Sequence, residues 1–241
     1  MEVIIKDNYE EVSQLAAEYL INTVKSKNNA VLGLPTGSTP MGMYRIVIET
    51  YKDNNISFKD VTTFNLDEYV GLDKNHESSY SYYMDKNFFS HIDIKKENTY
   101  IPNGVAKDME EECNLYENLI RERGPIDILF LGIGPNGHIG FNEPNDFFEP
   151  HTHLVKLTED TILANSRFFD NMESVPKKAI TMGMKSILSA KKIVMLATGE
   201  AKSDAILKSI KGKVTPQVPG SILQLHNNVT FILDKDAAKY L

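Results

Sequence analysis

Four short segments of the chain concentrate groups that can move protons or hold an anion. They are Thr36-Gly37-Ser38-Thr39, Asp67-Glu68, Asn136-Gly137-His138 with Asn142-Glu143, and Thr198-Gly199-Glu200 with Lys202. Together they supply backbone donors and hydroxyls, carboxylates, an imidazole and an ammonium group, the parts of an acid–base enzyme acting on an anion. The richest stretch is GIGPNGHIGFNEP at 132–144. Its four glycines, Gly132, Gly134, Gly137 and Gly140, let the backbone approach something closely. His138 lies among them with Glu143 five residues on, a pairing suited to proton transfer near neutral pH. The run resembles G-x-G-x-x-G, but His138, Asn142 and Glu143 fall where a dinucleotide-binding helix should run.

The segment LPTGSTP at 34–40 is a candidate anion cradle. Gly37 permits a tight turn, Ser38 and Thr39 offer hydroxyls, and Pro40 suits a first helical position. Amides at such a helix start bind phosphate through oriented N–H groups and the helix dipole. No GK[ST] follows, so the loop is not of the Walker A type. In NLDEY at 65–69, two adjacent carboxylates point to opposite sides if the strand continues, so one faces a cleft and the other is structural. Lys202 falls near a helix start, where a cation is unfavourable for the dipole and points to an anionic partner. Arg167, in LANSRFF, is a second candidate cation, within a largely apolar segment.

Other candidates carry less. His151 and His153 form an H-x-H pair that would share one face of a strand, but no third ligand is nearby, so no metal site is expected. His76, His91 and His226 gain no role from spacing. Met182, Met184 and Met195 read as core filling. Cys113 is the single cysteine and cannot form an internal bridge.

The elements that must position these groups are legible as a pattern. Short apolar, β-branched runs at 30–34, 61–66, 126–131, 192–197 and 229–233 are each consistent with strands buried on both faces. Helical spacing occupies 9–24, 41–51 and 109–123, and a loop opening a helix follows 198–202. The alternation predicts an α/β fold, a mostly parallel sheet covered by helices on both sides, with residues 1–241 forming one domain. The chemistry-bearing segments all follow the strands, where open α/β sheets bind ligands.

With 24% charged and 41% hydrophobic residues the composition is that of an ordinary globular chain. A net charge of −7 argues against a nucleic-acid binder that relies on overall charge. There is no basic n-region with a long apolar stretch at the start and no run long enough to span a bilayer. A cytoplasmic protein is expected, without membrane or nucleic-acid partners.

The segments GLPTGSTPMGMYR, FNLDEYVGL, LGIGPNGHIGFNEP, ANSRFF, VPKKAITMG and TGEAK, in this order from Leu32 to Lys202, resemble the glucosamine-6-phosphate deaminase (isomerase) family. The resemblance implies a Rossmann-like three-layer αβα sandwich. It implies conversion of glucosamine 6-phosphate to fructose 6-phosphate and ammonia without metal or organic cofactor. On the family pattern Asp67 takes the C2 proton and returns it to C1. His138 assists opening of the pyranose ring and Glu143 supports it. The loop Gly37, Ser38 and Thr39, with Arg167 and Lys202, holds the phosphate. Asn136 stands where allosteric members carry an aspartate, so His138 should depend more on Glu143 here. Asp146, His153 and Val155 replace the serine and basic residues of the activator site, and the chain ends at Leu241, short of the longer tail. A non-allosteric, monomeric enzyme is expected, with a homo-oligomer left open.

Three rivals share parts of this pattern. A 6-phosphogluconolactonase would share fold and phosphate loop, but LDEY and GFNEP count against it. Lys202 as a Schiff-base nucleophile would make an aldolase-type enzyme. A sugar-phosphate sensor normally carries a helix-turn-helix, for which the strand EVIIK, beginning at Glu2, leaves no room.

Overall fold

The computed structural model describes residues 1–166, 169 and 171–241. In chain order the elements are β1 (Glu2–Lys6), α1 (Tyr9–Ser26), β2 (Val31–Leu34), α2 (Met41–Lys52), β3 (Thr62–Asn65), β4 (Asp67–Tyr69), α3 (Tyr80–Asn87), β5 (Thr99–Tyr100), α4 (Met109–Arg123), β6 (Ile128–Gly132), β7 (His153–Lys156), α5 (Glu159–Asn165), β8 (Lys178–Thr181), α6 (Met184–Leu188), β9 (Ile193–Ala197), α7 (Ser203–Lys211) and β10 (Val229–Asp234).

Seven strands form one parallel sheet in the order β1-β10-β9-β6-β2-β3-β5. Alternate residues of its central strands enter different cores, as a period of two requires. Leu32, Ile128, Phe130, Val194 and Ile232 join α1, α2 and α3 on one side. Val31, Leu129, Leu131, Ile193, Met195 and Phe231 join α4, α6 and α7 on the other. Two-sided burial is therefore why these strands read as continuous apolar runs. Met182, Met184 and Met195 are all buried in the second of these cores, as expected. α1 and α4 start with side-chain caps: Asn8 accepts the Glu11 N–H at 3.0 Å, and Asp108 accepts those of Glu110 and Glu111 at 2.9 and 3.0 Å.

The fold departs from the sequence pattern after β3. The run at 61–66 does not continue through LDEY. β3 ends at Asn65, and after Leu66 the chain enters β4, which belongs to a separate three-stranded antiparallel sheet ordered β4-β8-β7. Three residues of alternating pattern are too few to announce a new strand. In the H-x-H pair only His153 is on a strand, its Nδ1 against the His151 carbonyl oxygen at 2.9 Å. Among the described residues no group of three or more His, Cys, Asp or Glu side chains is placed to hold a metal ion. None of the helices there is long and apolar enough to cross a membrane.

Candidate active site

In the parallel sheet the chain leaves β2 toward β3 and β5, then returns to the opposite side of β2 with β6, β9 and β10. The strand order therefore reverses between β2 and β6, and ligands bind beyond the strand ends at such a switch point. The loop that carries Gly37 and the glycine-rich loop that carries His138 leave these two adjacent strands. β9 lies next to β6, with Gly132 opposite Leu196, so the loop carrying Lys202 borders the same place.

The loop after β2 is held by its carbonyls. The Leu34 carbonyl oxygen accepts from Asn65 Nδ2 at 2.9 Å, that of Pro35 from the Tyr44 hydroxyl at 2.6 Å, that of Gly37 from Tyr83 at 2.6 Å and that of Ser38 from Tyr9 at 3.2 Å. Gly37 has φ +93°, a conformation that favours glycine. Among the described residues the N–H groups of Gly37, Ser38 and Thr39 and the two hydroxyls have no partner. A turn whose carbonyls are taken and whose amides are left is an anion-binding nest. Pro40 precedes α2 rather than opening it. Its helical φ of −79° makes it the half-in residue, and Met41 is first. Sequence reading missed the three tyrosines because they come from α1, α2 and α3, far apart in sequence.

Asp67 and Glu68 divide as their alternation predicts. Glu68, 2% exposed, points into structure: Oε1 accepts from the N–H groups of Tyr69 and Tyr80 and Oε2 from that of Ser81, all at 2.9 Å. Asp67, 8% exposed, has no hydrogen-bond donor on its carboxylate among the described residues. Burial, and after it the neighbouring Glu68 charge, push its carboxyl up to about 8.

The 132–144 loop comes to Asp67 through Gly140, where a Cβ would lie 3.3 Å from Asp67 Oδ2 and 2.9 Å from Thr181 Oγ1. Thr181 pairs with Asp67 across β4 and β8, and its hydroxyl accepts the Phe141 N–H at 3.0 Å. Gly134 serves His138 directly: a Cβ there would lie 2.1 Å from the ring. His138 Nδ1 faces Glu143 Oε2 at 3.5 Å and has no hydrogen-bond partner among the described residues. Asn136 ties the pair together, donating from Nδ2 to Glu143 Oε2 at 2.8 Å and accepting the His138 N–H at 3.1 Å. Thr158 donates to Glu143 Oε1 at 3.2 Å, and Thr161 donates to the same oxygen. Burial alone would raise the Glu143 carboxyl. The adjacent imidazole, Thr161 and Asn136 outweigh it and hold the group at about 2. Neither threonine carries a signal in the sequence, since both lie 15 or more residues from Glu143.

Lys202 ends the 3-10 turn Glu200–Lys202 after β9, half-buried and engaged with a neighbour. The turn is set by Gly199, whose N–H lies on both Asp234 oxygens at 3.1 and 2.9 Å. Arg167 lies outside the described residues, although Phe169 packs on Tyr69 with ring centroids 5.7 Å apart.

An anion nest, a buried carboxyl raised toward neutrality and a His–Glu pair, all beyond the ends of parallel strands, are what an α/β acid–base enzyme for anionic substrates is built from. The chain belongs to the family of glucosamine-6-phosphate isomerases and 6-phosphogluconolactonases, which it matches over residues 6–232. Over its whole length it is 58% identical to the glucosamine-6-phosphate deaminase of Thermoanaerobacter sp. (strain X514), covering 95% of that protein. It matches a solved structure described as a monomeric glucosamine-6-phosphate deaminase with a TM-score of 0.98 and 48% identity, over 100% of both chains. The 6-phosphogluconolactonase from Trypanosoma cruzi, at 19% identity and a TM-score of 0.80 over 100% of this chain and 96% of that one, shares the fold.

Proposed function

We propose that this chain converts glucosamine 6-phosphate to fructose 6-phosphate and ammonia. The observation that carries the chemistry is Asp67, buried, without a donor among the described residues, and bordered by the loop that holds His138. A carboxyl near 8 is a better base than an ordinary aspartate and is matched to work near neutral pH.

In this reading the Gly37–Ser38–Thr39 nest, with Arg167 and Lys202, holds the phosphate, and its binding energy fixes the sugar against the catalytic groups. His138 moves the proton that opens the ring, with Glu143 and Asn136 orienting it. Asp67 removes the C2 proton from the open-chain aldehyde, giving an enolamine, the amino counterpart of an enediol. Returning that proton to C1 leaves an imine at C2. Water adds to C2 and ammonia leaves, giving the ketone.

Residues 1–241 act as one domain, in the cytoplasm, as a monomer. The monomer is supported by the similar solved protein described as monomeric and by Asp146, His153 and Val155 at the positions of the family's activator site.

The test is incubation of purified protein with glucosamine 6-phosphate in deuterated water, following ammonia, fructose 6-phosphate and label at C1. Equimolar products with solvent label at C1 support the reading. Hydrolysis of 6-phosphogluconolactone without ammonia release from the amino sugar overturns it.

A further inference from the structure

Glu68 lies next to the proposed base but faces the other way, and no step of the reaction uses it. Its surroundings are those of a joint. The helix α3 begins at Tyr80, and the first N–H groups of a helix have no partner within it. Here Tyr80 and Ser81 give theirs to Glu68, and Tyr82 gives its own to Ser79 Oγ at 3.1 Å. A buried carboxylate is tolerable only when so satisfied, and the helix dipole adds to its stabilisation. One turn further along α3, the Tyr83 hydroxyl donates to the Gly37 carbonyl oxygen at 2.6 Å. Base strand, helix and anion nest are thus tied in series by side chains.

We propose that Glu68 is a positioning residue for the deaminase reaction, its carboxylate clamping the base-bearing strand β4 to α3, whose Tyr83 fixes the phosphate loop. The clamp sets the distance between the phosphate end of the substrate and the carboxylate that works at C1 and C2. A misplacement of about 1 Å between such groups can cost about 10²-fold in rate.

Glu68 also acts on Asp67 by charge. The titratable groups that sense Asp67 are Glu68 on β4, Tyr69 beside it, Tyr80 on α3 and Tyr116 on α4. Burial holds all three tyrosines well above their ordinary range, so they stay neutral while Asp67 titrates. Among the described residues Glu68 is then the charge that keeps Asp67 protonated to higher pH. Burial raises the Glu68 carboxyl too, but three N–H groups oppose that rise, whereas Asp67 has no such donor among the described residues.

The inference rests on Asp67 being the base, and the test separates the two. Glu68→Gln places an amide NH2 against a backbone N–H and removes the charge. It should lower kcat about 10–100-fold and move the acid limb of kcat/KM down by roughly one pH unit. Tyr83→Phe should weaken competitive inhibition by inorganic phosphate several-fold, with a rise in KM larger than the fall in kcat. Glu68→Asp retains the charge but not the reach, so it should keep the pH limb and still lose kcat; it decides the matter if the glutamine variant does not fold. A Glu68→Gln or Glu68→Asp enzyme with wild-type kcat and pH profile overturns the proposal while Asp67→Asn remains inactive. An active Asp67→Asn enzyme would overturn the base assignment instead.

Discussion

Asp67 and Thr181 are register partners across β4 and β8, and the Thr181 hydroxyl takes the Phe141 N–H at 3.0 Å. One short antiparallel pairing thus joins the proposed base to the loop that carries His138 and Glu143. A second tie lies beside it, where Met182 donates its N–H to the Leu66 carbonyl oxygen at 2.7 Å and its own carbonyl accepts from Asn142 Nδ2 at 2.9 Å. The small sheet is the frame on which the two proposed catalytic segments, over 60 residues apart in sequence, meet.

Thr181→Val tests that frame. Valine matches threonine in shape but leaves the buried Phe141 N–H without an acceptor, which should cost about 1–3 kcal/mol of stability. Urea unfolding should show that loss, and kcat should fall several-fold because Gly140 no longer has a fixed distance to Asp67. Unchanged stability together with unchanged kcat would show that the contact does not couple the loops.

Asp67→Asn should trade activity for stability. Removing an acid–base group typically costs about 10²–10⁴-fold in rate. The folded-state carboxyl is raised above its ordinary 3.8 to about 8, so its contribution to stability is full below about pH 4 and is lost as pH rises through about 8. Asparagine cannot ionise, so the variant should lose less stability than wild type between pH 6 and 9. Melting curves across that range decide it: parallel curves would mean that Asp67 is not held protonated by the fold.

How much of this was legible in the sequence differs by scale. The parallel sheet was readable because its strands are buried on both faces, and so were the loops after β2 and β6, whose glycines mark tight backbone. That Asp67 and Glu68 face opposite ways followed from strand alternation, whereas Asp67 as the proposed base came from the family resemblance. The second sheet was not readable, since β4 has three residues and its partners lie more than 80 residues away. Nor were Tyr9, Tyr44 and Tyr83 around the nest, or Thr158 and Thr161 on Glu143. Each is an ordinary hydroxyl residue until the fold brings it to its acceptor.

Glu143→Gln should expose the cost of orienting His138. The glutamate accepts from Asn136, Thr158 and Thr161 and faces the imidazole, all of which favour its anion. Because its folded-state carboxyl is held below the ordinary 4.5, at about 2, its stabilising contribution is present above about pH 4.5 and fades as pH falls toward 2. The glutamine variant should therefore be less stable at neutral pH and flatter in its acid unfolding. Its turnover should fall about 10–100-fold while inhibition by inorganic phosphate stays at the wild-type level. Loss of phosphate inhibition as well would point to a collapsed loop rather than a disoriented histidine.

Gly134→Ala isolates the histidine ring from the rest of the loop. Gly134 donates to the His138 carbonyl oxygen at 2.9 Å and accepts from the Gly137 N–H at 3.0 Å, so two backbone hydrogen bonds close the turn. Its φ lies outside the positive region, and an alanine methyl strains no backbone angle there. The methyl carbon would instead lie 2.1 Å from Cε1 and 2.4 Å from each ring nitrogen of His138, far inside contact distance. Either the ring or the turn must move, and the ring is the softer of the two. The variant should fold normally and bind inorganic phosphate normally, yet lose nearly as much turnover as His138→Ala. Residues that act as one unit are strongly non-additive, so the double variant should be no slower than His138→Ala. A Gly134→Ala enzyme with wild-type turnover, or a double variant whose loss is the product of the two single losses, would mean that His138 does not work from the position seen here.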